Sequence, residues 1–148
     1  MKTIIILCLC LLCQPLFAQE LYTSPNGKQT GWASFENPTG EKGEAGLENK
    51  GAKGHAFNVL KAGESITLLN VQGAGIVKRI WMTMTDQNPV MLRSLRLDMY
   101  WDGATKPAVS VPVGDFFGVG LGRKVAFQSA LFADPEGRSF NSFITMPF

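Results

Sequence analysis

The side chains able to do chemistry in this sequence are carboxylates, guanidinium groups and indoles. Glu36, Glu41, Glu48, Asp115 and Glu136 fall in loops or at the ends of strand-like segments. Arg79, Arg93, Arg96 and Arg138 can grip oxygen-rich ligands through forked hydrogen bonds. Trp32, Trp81 and Trp101 offer flat apolar faces with one polar handle each. Such a set suits sugar recognition, where hydroxyls need donors and acceptors and the C–H face of a ring packs on an aromatic.

Other chemistries are set aside by composition. The single histidine is His55, and no serine–carboxylate arrangement accompanies it, so a histidine-driven nucleophile is not expected. All three cysteines, Cys8, Cys10 and Cys13, lie in the first 13 residues. Metal sites built on His and Cys are therefore excluded by count. A calcium site from Asp98 and Asp102 has no loop signature. Gly118–Arg123 is glycine-rich but lacks G-x-G-x-x-G spacing and a strand–turn–helix context, so it reads as a connection between strands. No cofactor is expected.

The start of the chain reads as a removable export signal. A basic Lys2 precedes an apolar run from Ile4 to Cys13, and Pro15-Leu16-Phe17-Ala18 ends on a small residue. Cleavage between Ala18 and Gln19 gives a secreted or periplasmic chain without cysteine. The run is too short to span a bilayer, and no membrane span is expected elsewhere. Without Lys2 the remainder carries 13 basic and 12 acidic residues. With no basic stripe, nucleic acid is not an expected partner.

The rest organises into an arm, residues 19–54, and a β domain, residues 55–148. Ser34–Gly54 holds five glycines, four glutamates and three lysines and has no period of 2 or 3.6. Taken alone it reads as a solvated polar arm. After it, short apolar runs alternate with turn residues. Strands are expected at His55–Leu60, Glu64–Val71, Gly75–Met84, Leu92–Trp101, Pro107–Pro112, Val125–Phe132 and Ser139–Met146. Leu92–Trp101 alternates most clearly, with Leu95, Leu97, Met99 and Trp101 on one face, so Trp101 is expected in the core. Trp81, flanked by Ile80 and Met82, is expected to face outward. Arg93 and Arg96 are expected on a solvated strand face. Asp115, between Gly114 and two phenylalanines, either caps a turn or points into a site. No helical stripe stands out. The fold class is all-β, a jelly-roll-like β-sandwich.

Six motifs in order carry a resemblance. They are Ser34–Gly43, Asn49–Gly54, Arg79-Ile80-Trp81-Met82-Thr83, Leu92–Leu97 with Tyr100–Gly103, Pro112–Gly118 and Pro135–Asn141. From about Trp32 to Phe148 the chain resembles the domain-of-unknown-function 2961 family, classed as glycoside hydrolase family 172. The resemblance implies paired jelly rolls, of which this is the first and incomplete one, assembling as trimers or hexamers. It also implies hydrolysis of α-D-fructofuranosides or α-D-arabinofuranosides with retention. Retention uses two carboxylates about 5 Å apart. The family pattern puts both catalytic glutamates beyond Phe148, so no catalytic residue is assigned here. Matching positions place Glu36, Lys42, Trp81, Asp115 and Arg138 at or near the sugar. Beside these motifs, Ser34–Gly54 is expected to be an ordered loop at a domain entrance or subunit contact. A non-catalytic carbohydrate-binding domain and a trimer-forming domain are the alternatives.

Overall fold

A computed structural model describes residues 27–148, which divide into two units, 27–71 and Gln72–Phe148. The expected export segment lies outside the described residues.

The second unit contains every regular element among the described residues. In chain order these are β1 (Ile76–Val77), β2 (Ile80–Met82), α1 (Pro89–Ser94), β3 (Arg96–Met99), β4 (Val109–Pro112), α2 (Val113–Phe116), β5 (Phe127–Gln128), β6 (Phe132–Asp134), β7 (Phe140–Ser142) and β8 (Met146–Pro147). All strand pairs are antiparallel, in keeping with the expected all-β sandwich. β1 pairs with β8, β3 with β4, and a four-stranded sheet runs β2-β7-β6-β5. Gly75 and Phe148 extend the β1–β8 ladder by exchanging both backbone hydrogen bonds, at 2.8 and 3.0 Å. A Cβ at Gly75 would run into the Phe148 ring, which would have to swing away, so glycine lets the ring lie over this backbone.

Register decides what each sheet face does. In the four-stranded sheet Ile80 pairs with Ser142, and Met82 with Phe140. Ile80, Met82 and Phe132 pack against a buried cluster of Leu92, Val113, Phe117, Val119 and Phe140. The Phe117 ring lies 5.3 Å from Phe140 and meets Phe116 edge-on at 4.9 Å. Each fully buried side chain of this size contributes roughly 1.5–3 kcal/mol.

Two helical turns complete this core, where none was expected. Leu92–Ser94 belongs to α1 and not to a strand. Asn88 caps that helix, its Oδ1 accepting from the Met91 amide at 2.9 Å, and Pro89 occupies the first turn. Leu92 and Leu95 are three apart, so a helical turn brings both to the core, whereas strand alternation would put them on opposite faces. Pairing starts only at Arg96, opposite Pro112. Gly114 in α2 lies so close to Leu92 that an added Cβ would sit 3.0 Å from the leucine Cβ. Trp101 is half-buried, not sealed in the core, and its Nε1 donates to the Pro147 carbonyl at 2.9 Å.

The first unit is built from turns. The expected strands at His55–Leu60 and Glu64–Val71 do not form. Phe57 and Val59 remain 71% and 77% exposed, so no burial drives them into a ladder. Order lies instead around Asn37, 4% exposed. Its Nδ2 donates to the Glu41 carbonyl at 2.8 Å, and its Oδ1 accepts from the Glu41 amide and the Thr39 hydroxyl, both at 3.2 Å. Ser34 and Asn37 also exchange backbone hydrogen bonds. Further on, Asn49 bridges Ala52 across Lys50 and Gly51, both at positive φ as a tight two-residue turn demands.

Candidate functional site

The outer face of the four-stranded sheet carries a row set by pairing. Trp81 opposes Asn141, Asn141 opposes Ala133, and Ala133 opposes Gln128. Directly paired residues share a face, so these four line one side while Ile80, Met82, Phe132 and Phe140 serve the core. Arg79 and Thr83 lie two residues either side of Trp81, and Ser139 and Phe143 two either side of Asn141, so period 2 adds them to the same face. The turn from Pro135 to Arg138 rises beside the row. Together they enclose an open groove of about 590 Å³, which also takes in Glu136 and Arg138.

The groove walls are fixed by short polar contacts. Arg79 donates through Nη2 to the Asn141 Oδ1 at 2.6 Å, and its guanidinium stands 5.6 Å from the Phe143 ring centre. Asn141 Nδ2 donates to the Ala133 carbonyl at 3.1 Å, which sets the amide orientation. Trp81 is 44% exposed, so its indole presents a free face.

Asp134 holds the turn that carries Glu136 and Arg138. Its Oδ1 accepts from the Arg138 and Ser139 amides at 2.8 and 3.0 Å. The Arg138 carbonyl accepts from Thr83 Oγ1 at 3.1 Å and Gln87 Nε2 at 3.0 Å. Asp134 is 1% exposed, and Lys124 Nζ approaches its other oxygen at 3.0 Å. That contact is a charge pairing without hydrogen-bond alignment. The same Nζ donates to Gln87 Oε1 at 2.7 Å and lies 4.1 Å from the Phe140 ring centre. A buried ion pair fastened to the core thus locks the backbone of the turn and leaves its side chains to the groove.

The five positions expected near a sugar do not form one cluster. Trp81 and Arg138 meet in this groove. Asp115 instead joins α2 to α1, both its oxygens accepting from Arg93 Nη1. Glu36 and Lys42 belong to the first unit. Glu36 Oε1 accepts from the His55 amide at 2.6 Å, and this hydrogen bond above all lowers its pKa from the ordinary 4.5. Lys42 lines a second open groove of about 580 Å³ with Thr39, Glu41 and Lys28. Residue type and spacing alone give Asn141, Asp134 and Lys124 no site role. Asp134 stood in an expected turn, but its buried partner lies ten residues away in the sequence.

Chemically, the sheet groove offers an aromatic face, two guanidinium groups, amide and hydroxyl groups, and one carboxylate, Glu136. Among the described residues no three His, Cys, Asp or Glu side chains gather as a metal site. No helix among them is long and apolar enough to cross a membrane. Residues 51–148, which hold the whole groove, match the family model described as GH172 domain-like. No curated protein matches the chain significantly.

Proposed function

Because this chain belongs to glycoside hydrolase family 172, we propose that it supplies the sugar-binding sheet of an exported hydrolase acting on α-D-fructofuranosides or α-D-arabinofuranosides. The observation that carries this is the groove: the open Trp81 face beside the fixed Arg79–Asn141 pair and Arg138. A furanose ring would lay its C–H face on Trp81, with its hydroxyls on Asn141, Thr83 and the guanidinium groups. The nested pairing of β1 with β8 and β2 with β7 supports a jelly-roll wrap. Retaining hydrolysis needs two carboxylates about 5 Å apart. The groove contributes one among its described residues, which agrees with the family pattern's placing of the catalytic pair elsewhere in the protein. Export by residues 1–18 and self-assembly as a trimer or hexamer belong to the same reading. The exposed Phe57 and Val59 favour assembly.

The single carboxylate equally favours a second reading, a carbohydrate-binding domain without catalysis. One pair of assays separates these ideas. The purified chain is expected to bind methyl α-D-arabinofuranoside or its fructofuranoside counterpart and to leave the aryl glycosides uncleaved. Turnover by the chain alone would overturn the placement of the catalytic pair. Absence of binding across a furanoside panel would overturn the recognition role itself.

A further inference from the structure

The five arginines of the chain divide by partner. Arg93 pairs with Asp115, and Arg96 with Asp98. Arg79 and Arg138 form no salt bridge with any carboxylate among the described residues, and both line the sheet groove. Arg123 lines neither groove.

Arg79 is not a loose surface cation. Its contacts are neutral, an amide oxygen and a phenyl face. They fix the plane of the guanidinium while leaving its charge uncompensated. One N–H goes to Asn141, which leaves further donors for a ligand. Arg138 is placed by its own backbone, gripped at N–H by Asp134 and at C=O by Thr83 and Gln87. One oriented guanidinium, that of Arg79, and a second carried on the anchored backbone of Arg138 stand against one carboxylate, Glu136, and make the groove net cationic. A neutral sugar needs hydrogen-bond donors but no such excess of charge.

We propose that the groove selects a sugar bearing an anionic substituent, a carboxylate or a phosphate, which Arg79 and Arg138 read while Trp81 takes the ring. This rests on the groove being the sugar site and goes further by naming the ligand class. Charge-assisted forks to such groups are stronger and more geometrically selective than bonds to hydroxyls.

Calorimetric titration of the whole chain tests it with four probes: methyl α-D-arabinofuranoside, its 5-phosphate, its 5-carboxylate form and inorganic phosphate. At low salt at least one anionic glycoside is expected to bind roughly ten-fold tighter than the neutral one. Whichever gains the advantage identifies the anion. Raising the ionic strength should erode it. Arg138→Gln should abolish that advantage, costing the anionic glycoside far more affinity than the neutral one, which loses only a bond to a hydroxyl, while the turn itself persists because its contacts come from the Arg138 backbone. Arg79→Gln should act likewise, with circular dichroism checking that the sheet persists. Equal affinity for neutral and anionic glycosides would overturn the charge selection and leave the sugar site standing. Failure of every glycoside to bind the folded chain would overturn both. Inorganic phosphate binding as tightly as the phosphorylated glycoside would overturn the role of the sugar ring.

Discussion

The two units reach order by different physics. From Gln72 onward, phenylalanines and leucines close a core and strand register places the groove over it. In residues 27–71, large apolar side chains such as Trp32, Leu47, Phe57 and Val59 stay exposed. There the chain is held by one buried asparagine, one carboxylate on an amide, and glycine turns. Burial is cooperative, whereas hydrogen-bonded turns open one at a time. A binding face that must hold several groups in fixed relation therefore belongs to the cored unit.

Substitutions should separate the two regimes. The largest effect is expected in the core-backed turn. Asp134→Ala leaves Lys124 buried beside Phe140 without its counter-charge and releases the Arg138 and Ser139 amides. It should cost about 3–5 kcal/mol in denaturant unfolding. Phe140→Ala, removing a ring that is 1% exposed, should cost a similar 3–5 kcal/mol, by about the usual cavity penalty. A loss below 1 kcal/mol for either would mean the core does not support the groove.

Asn37→Ala should act locally. It frees the Glu41 amide and carbonyl and should lower the opening free energy there by roughly 1–3 kcal/mol. Hydrogen exchange at Glu41 would show this while protection in β7 stays unchanged. A matching loss of protection in β7 would merge the two regimes into one. The smallest effect is pH-dependent. The Glu36 carboxylate is held below its ordinary 4.5 by the His55 amide. Its stabilisation is therefore complete above that value and fades as the pH falls through the lowered one. His55 amide protection should decline in that acid range, and Glu36→Gln should remove the pH dependence. A decline that persists in Glu36→Gln would assign it to another group.

How far the sequence reveals the molecule follows the same division. Alternation at Leu95, Leu97 and Met99 marked β3, and Asp102-Gly103 marked a turn whose two residues both adopt positive φ. Trp81 was readable as outward because its neighbours Ile80 and Met82 must face the core. Alternation failed at Leu92, where Asn88-Pro89 is a helix cap and looks the same as a loop turn in the sequence. It failed again at His55–Leu60 and Glu64–Val71, because a strand-like pattern cannot show whether a partner strand exists. Asp115 could be read as turn or site. Its pairing with Arg93, 22 residues away, depends on how α1 meets α2. Asn141 and Lys124 acquire their roles only through register and packing across the sheet.

In the proposed role the sheet groove, and not the polar loop of the first unit, receives the sugar. Backbone amide and tryptophan indole NMR shifts of the whole chain, followed during titration with methyl α-D-arabinofuranoside and its 5-phosphate, test this most directly. The predicted result is saturable shifts at the Trp81 indole and at the Gln128, Arg138 and Asn141 amides, with Thr39, Glu41 and Lys42 unmoved. Shifts confined to Thr39–Lys42, or none in either groove, would contradict it.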